Sequence, residues 1–234
     1  MLQGMNGPLP IQKRYGANLP HWTREGGIYA VTFRLGDSLP AGVLEQYVSE
    51  REEIVRRANA MQRPLAVYEL GRLRELHSDR IEQFLDQGQG ECIFRSHQCA
   101  RIARDAIVHF DGERYVLFAW CIMPNHVHAV LRPRCEHSLS SVLHSWKSFS
   151  SKAIGKLLNR EGTLWQEESY DHLVRDVQDF AHAVRYVVEN PLNAGLRNWP
   201  WVGGNVAELL LQNADVNWPE LWWAQNAKGA PKKE

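Results

Sequence analysis

Two hydrophobic spacings alternate along this chain. Ile28 to Leu35 (Ile-Tyr-Ala-Val-Thr-Phe-Arg-Leu) is crowded with β-branched and aromatic residues, and Gly36-Asp37-Ser38 follows it. That pattern predicts a strand ended by a turn. From residue 40 the spacing lengthens. Val43, Tyr47, Ile54 and Val55 form one stripe of helical period, and Leu70, Leu73, Leu76, Ile81 and Phe84 form another. Pro64 lies between them and Gly88 and Gly90 mark the exit, so 40–88 reads as two helices. A third helix is expected over 96–110, closed by the Asp111-Gly112 turn.

Tyr115 to Ile122 reads as a strand buried on both faces. Met123-Pro124-Asn125 is a short turn, and His126 to Leu131 a second strand, which makes a hairpin ended by Pro133. Ser138 or Ser140 is placed to cap a long helix running to Leu158. A short strand is expected at 172–174. A last helix runs from Val177 to Asn190, where Pro191 should stop it, because the residue before proline avoids the helical region.

With 40–92 set aside, the order is strand, helix, strand, strand, helix, short strand, helix. That order predicts an α+β fold: a ferredoxin-like, split β-α-β antiparallel sheet with helices on one face, plus a helical insertion. The expected divisions are an irregular arm at 1–23, a domain at 24–200 carrying the insertion at 40–92, and a Trp-rich tail at 201–234 whose polar end reads as disordered. No internal repeat is visible.

Composition narrows the class. With 234 residues, 44% hydrophobic and 23% charged, the chain can bury a core as one decorated domain. The start lacks the features of an export signal and no stretch is apolar for long enough to span a bilayer, so the expectation is a cytoplasmic protein with no membrane partner. Cys92, Cys99, Cys121 and Cys135 show no Cys-x-x-Cys spacing and are expected to be reduced and mostly buried. The 27 basic and 27 acidic residues cancel, which argues against a purely electrostatic nucleic-acid binder. Their distribution is uneven. Residues 139–160 contain Lys147, Lys152, Lys156 and Arg160 and no acid, whereas acids gather between Ala41 and Glu91.

The candidate chemistry lies in the hairpin and the last helix. His126 and His128, two residues apart on a strand, share a face, and Val127 faces the other way into the core. Neutral imidazoles on one face are either half of a metal site or hydrogen-bonded histidines in a polar groove. Tyr186 and Asn190, one helical turn apart, also share a face. If the two faces meet, they join a metal, an amide ligand and a tyrosine hydroxyl, a set suited to attack on a phosphodiester. Asn before Pro is equally a helix stop.

Met-Pro-Asn-His-Val-His-Ala-Val-Leu at 123–131, Leu-Trp-Gln-Glu at 164–167, Tyr-Asp-His-Leu-Val-Arg at 170–175 and Arg-Tyr-Val-Val-Glu-Asn-Pro-Leu-Asn-Ala-Gly-Leu at 185–196 resemble the tyrosine transposases of the HUH superfamily, in particular the REP-associated branch. The resemblance runs from Gly27 to Pro200. It implies that His126 and His128 are paired metal ligands, Asn190 a third ligand, Tyr186 the nucleophile, and Mg2+ or Mn2+ the cofactor. It implies single-stranded or hairpin DNA as substrate, a 5′-phosphotyrosine intermediate, and DNA transposition. Family members act as monomers or as homodimers that share tyrosine helices. Two other readings stand beside this: a hairpin-binding relative that no longer cuts, and a zinc protein using His126, His128 and some of Cys121, Cys135 and His137, although that spacing fits no common zinc pattern.

Around this centre, Asp171 and His172 are expected to orient neighbours of the metal or to serve structure. Lys147, Lys152 and Lys156 are expected to face DNA while Trp146 and Phe149 point inward. Arg175 and Arg185 are candidate phosphate contacts. Trp199, Trp201, Trp218, Trp222 and Trp223 either stack on bases or pack. The 40–92 insertion and the zero net charge are departures from small members of the family.

Overall fold

The structure is a computed structural model. It describes residues 12–15, 20–23, 26–61, 63, 66, 68, 69, 72, 84–167 and 169–204. The Leu70, Leu73, Leu76 and Ile81 stripe, Trp218, Trp222, Trp223 and the polar end of the chain lie outside those residues.

Among the described residues, seven strands and four longer helices follow in chain order: β1 (Gln12–Tyr15), β2 (Pro20–Thr23), β3 (Tyr29–Arg34), α1 (Ala41–Ala60), α2 (His97–Val108), β4 (Tyr115–Ile122), β5 (His126–Pro133), α3 (Leu139–Leu158), β6 (Tyr170–Leu173), α4 (Val177–Asn193) and β7 (Val202–Gly203). The main sheet has the order β6-β3-β5-β4-β7, every pairing antiparallel. Its first four strands form the split β-α-β arrangement, with α2 and α3 as crossovers.

β4 and β5 meet at the tight turn read from sequence. A register shift between Leu117 and Ala119 leaves Phe118 as an extra residue. This bulge re-phases the strand, so Cys121 lies across from His128. Ser138 caps α3, its Oγ accepting from the Ser141 N–H at 3.1 Å.

The sheet is covered on both sides. α2 and α3 pack on one face, where Trp146, Val142, Ile154, Cys99, Ala103 and Ile107 meet Tyr29, Val31, Phe33, Val127, Ala129 and Leu131. α4 packs on the opposite face: Phe180, Ala183, Val184 and Val187 meet Val116, Phe118, Cys121, Met123 and Val130. The two crossover helices therefore share one face, as expected, and the tyrosine helix takes the other.

Four local expectations are corrected. Within the arm, residues 12–15 and 20–23 pair as an antiparallel hairpin, because backbone pairing does not require apolar alternation. The short strand is 170–173 rather than 172–174. α4 passes through Pro191 to Asn193; its last turn is closed by Ala194 N–H to Asn190 O (2.9 Å), Leu196 N–H to Pro191 O (2.8 Å) and Gly195 N–H to Leu192 O (3.0 Å). Phe149 is 55% exposed while Trp146 is 1% exposed, since α3 turns Val142, Leu143, Trp146, Ser150 and Ile154 inward and Phe149 lies off that face. Of the insertion, α1 and a small cluster around Leu39, Leu85, Ile54 and Phe84 are described.

Candidate metal centre and tyrosine

Strand alternation sorts β5 into two sets. Val127, Ala129 and Leu131 enter the α2–α3 core, and His126, His128 and Val130 turn toward α4. α4 covers the histidines, leaving His126 0% and His128 1% exposed. Their rings meet edge to face at 4.6 Å. The Tyr186 ring stands perpendicular to His128 at 5.4 Å. Tyr186 is half-buried, and Asn190, a turn further on, is 3% exposed. The hairpin face and the helix face therefore do meet, within a single chain.

Each imidazole is held through Nδ1. The Nδ1–H of His126 donates to Asn125 Oδ1 at 2.7 Å. His128 Nδ1 and Thr32 Oγ1 are 2.8 Å apart. Burial pushes both rings toward the neutral form: His128 is driven down to about 3, and His126 falls well below the ordinary histidine value through burial, with His128 adding to it. The rings are thus uncharged at neutral pH, and the Nε2 atoms can carry lone pairs.

Three buried atoms here have no partner among the described residues: His126 Nε2, His128 Nε2 and Asn190 Oδ1. Each such atom costs about 1–3 kcal/mol, so three cost an appreciable fraction of a domain's net stability, about 5–15 kcal/mol. Two bare imidazole nitrogens and an amide oxygen are a donor set that fits a divalent cation with positions left for water or phosphate oxygens. Among the described residues no group of three His, Cys, Asp or Glu could hold a metal; the third donor here is an amide. The zinc reading loses support for the same reason. Cys121 is buried with its thiol pushed up by burial, and Cys135 is exposed beyond the end of β5.

The remaining candidates separate. His172 Nε2 lies 2.8 and 2.9 Å from the Asp179 carboxylate oxygens, which also accept the Arg175 N–H at 3.0 Å. His172 therefore clamps β6 to the first turn of α4 and orients the tyrosine helix. Asp171 lies across from Val31, in register with the α2–α3 face rather than the histidine face. Lys147 is not turned to solvent: its Nζ donates to the Gln166 and Glu167 carbonyls, each at 3.0 Å. Lys152, Lys156, Arg175 and Arg185 are exposed. Trp199 and Trp201 pack, with Trp199 Nε1 donating to Ile122 O at 2.6 Å and Trp201 against His97. Sequence reading missed Thr32, whose role depends on the β3–β5 register, and treated Asn125 as a turn residue only.

Comparison with known proteins agrees with the motifs. The family model described as "Transposase IS200 like" matches residues 97–190. A REP-associated tyrosine transposase of Escherichia coli is 28% identical over 107 residues, covering 43% of this chain and 62% of its own length. A Haemophilus influenzae relative is 26% identical over 97 residues, covering 36% of this chain and 55% of its own. The matched stretch thus spans less than two thirds of either relative. A solved structure of a REP-associated tyrosine transposase bound to a REP hairpin aligns over 80% of this chain and 82% of that one, at TM-score 0.49 and 17% identity. The chain is similar in sequence to the REP-associated tyrosine transposases, and the stretch matched by the IS200-like family model includes His126, His128, Tyr186 and Asn190. Among the described residues no helix is long and apolar enough to cross a membrane.

Proposed function

We propose that this chain is a divalent-metal-dependent, single-strand DNA endonuclease and strand transferase of the REP-associated tyrosine transposase kind, acting on hairpin DNA through Tyr186. The observation that carries this reading is the trio of buried, unpartnered donor atoms beside Tyr186. His126, His128 and Asn190 would hold Mg2+ or Mn2+. Bound there, the cation would supply Lewis-acid stabilisation of charge on the scissile phosphate.

The chain's own residues do the rest. The Tyr186 hydroxyl oxygen attacks phosphorus, the bond to the 3′ oxygen breaks, and the tyrosine proton is balanced by the proton gained on the leaving 3′ oxygen. The 5′-phosphotyrosine so formed keeps the free energy of the phosphodiester, so a second 3′ hydroxyl reverses the step without ATP. His172 and Asp179 fix α4 and with it the approach of Tyr186. Tyr186 sits over His128 of its own chain, which supports action in cis. Lys152, Lys156 and Arg175 are exposed and would meet phosphates, as would Arg185 on leaving its exposed pair with Glu189, with a salt-dependent contribution to binding.

The test is a denaturing gel. The protein is incubated with labelled single-stranded hairpins from its own flanking DNA, with Mn2+ or Mg2+, beside Tyr186→Phe and His126→Ala. A covalent adduct that needs metal and is lost in both variants is expected. Specific hairpin retention with no adduct under any metal would replace this reading with a non-cleaving hairpin binder.

A further inference from the structure

We propose that Asn125 is a positioning residue for the metal site: it sets which nitrogen of His126 carries the proton, and it links that setting to the exit of the 40–92 insertion. The proposal rests on the reading of His126 as a metal ligand.

Asn125 lies in the β4–β5 turn and is 0% exposed. Its Nδ2 donates to the Gln89 carbonyl at 2.9 Å, and its Oδ1 faces His126 Nδ1 at 2.7 Å. A carbonyl only accepts, so the Gln89 oxygen selects the NH2 end of the amide. The other end, Oδ1, can only accept. His126 must then carry its proton on Nδ1, and Nε2 is left bare. A metal ligand whose far nitrogen donates to a fixed acceptor is oriented and made more basic.

The Gln89 carbonyl is itself fixed. Gly88 and Gly90 on either side adopt φ +69° and +84°, where glycine is favoured. The Gly88 N–H donates to Leu85 O at 3.0 Å. A side chain at Gly90 would come within 2.6 Å of the Asp37 carbonyl, and the Glu91 N–H donates to Asp37 Oδ2 at 2.8 Å. The insertion's exit is therefore pinned to the turn after β3 and delivers one carbonyl to Asn125. Thr32 Oγ1 holds the His128 ring at Nδ1 from within the sheet, 2.8 Å away, but a hydroxyl both donates and accepts and so does not set the His128 tautomer. One ligand is oriented by the fold's own strands and the other through the insertion.

The experiment uses full-length, metal-free protein at neutral pH with Asn125→Ala, Asn125→Asp, Gln89→Ala and His126→Ala. Long-range 15N NMR reads the His126 tautomer, and Mn2+ titration followed by electron paramagnetic resonance reads affinity. The parental chain should show a single Nδ1–H tautomer. Asn125→Ala should show a tautomer mixture and bind Mn2+ about 10–100-fold more weakly. Asn125→Asp keeps the acceptor and should stay within a few-fold of the parental chain, although its carboxylate cannot donate to Gln89. Gln89→Ala keeps the carbonyl and should change nothing.

An Asn125→Ala protein with parental tautomer and affinity would overturn the proposal. So would Asn125→Asp binding Mn2+ about ten-fold or more below the parental chain, because Asn125 would then serve only to hold the Gln89 loop; that outcome is read against the parental chain and stands even if the alanine variant fails to fold. His126→Ala separates the two levels. Loss of Mn2+ there with full binding in Asn125→Ala removes the positioning role alone. Parental protein that binds no Mn2+, or His126→Ala that binds as well as the parental chain, removes the metal reading and this proposal with it.

Discussion

The two faces of the main sheet bury similar depths of side chain by opposite rules. On the α2–α3 face a run of polar groups closes on itself, although Arg104 Nε of α2 is also buried without a partner among the described residues. Trp165 Nε1 donates to Ser150 Oγ at 2.9 Å, Ser150 donates to Trp146 O at 2.6 Å, Trp146 Nε1 donates to the Tyr115 hydroxyl at 2.9 Å, and Tyr115 donates to Ile107 O. On the α4 face three polar atoms of the same sheet and its covering helix are buried with no partner among the described residues. One face is packed for stability, and on the proposed function the other keeps donors for a metal at a cost to stability. Sites that violate the packing rules are where function is expected.

Three substitutions or conditions would sharpen that contrast. The largest effect belongs to the packed face. Trp146 is 1% exposed and in edge contact with Tyr115 at 5.3 Å. Trp146→Ala should lower unfolding free energy by about 3–5 kcal/mol, measured by urea denaturation, while the Mn2+ affinity of the fraction that stays folded is retained. A loss below 1 kcal/mol would mean that this face is not the stabilising one.

Acid should act through the other face. The ordinary histidine value is near 6.5, and burial depresses both His126 and His128. Between the folded and unfolded values the unfolded chain binds more protons, so stability rises with pH. The contribution is complete above pH 6.5 and is lost as pH falls toward 3. With His128 at about 3, that histidine alone accounts for about 2 kcal/mol at pH 5, and His126 acts in the same direction. Urea midpoints of metal-free protein should fall between pH 7 and pH 5. A His126→Ala, His128→Ala double variant should flatten that slope, and a slope unchanged in the double variant would place the acid sensitivity elsewhere.

The contrast between the faces also shows where sequence reading reaches and where it stops. The β4–β5 hairpin, the Ser138 cap and the strand at 29–34 follow from local turn chemistry and periodicity, and all were legible. So was the His126, His128, Tyr186, Asn190 set, because alternation and helical period place each pair on one face. Period alone does not name the partner of an apolar stripe, so the side of the sheet that α4 takes was not legible. Phe149 was expected inward because an aromatic near a stripe resembles part of it; the geometry of α3 puts it outside. Lys147 was expected on DNA because no sequence rule reveals that the Gln166 and Glu167 carbonyls come within its reach. Thr32 and Asn125 depend on register and on a loop far away in sequence, and neither has a local signature.

The smallest effect tests the contrast most directly. Asn190 is 3% exposed and its Oδ1 has no partner among the described residues. Leucine has nearly the same size and branching, has better helix propensity and leaves no polar atom to desolvate. If the α4 face is held away from its stability optimum by a ligand-binding duty, Asn190→Leu should stabilise metal-free protein by about 1 kcal/mol and weaken Mn2+ binding in the same molecule. Thermal melts with and without saturating Mn2+ read both at once. The variant should melt higher than the parental chain without metal and gain less when metal is added, because stabilisation by a ligand follows its affinity for the folded state. A variant less stable than the parental chain without metal would mean that Asn190 is a structural helix-end residue, and the frustration on this face would then reside in the two histidines alone.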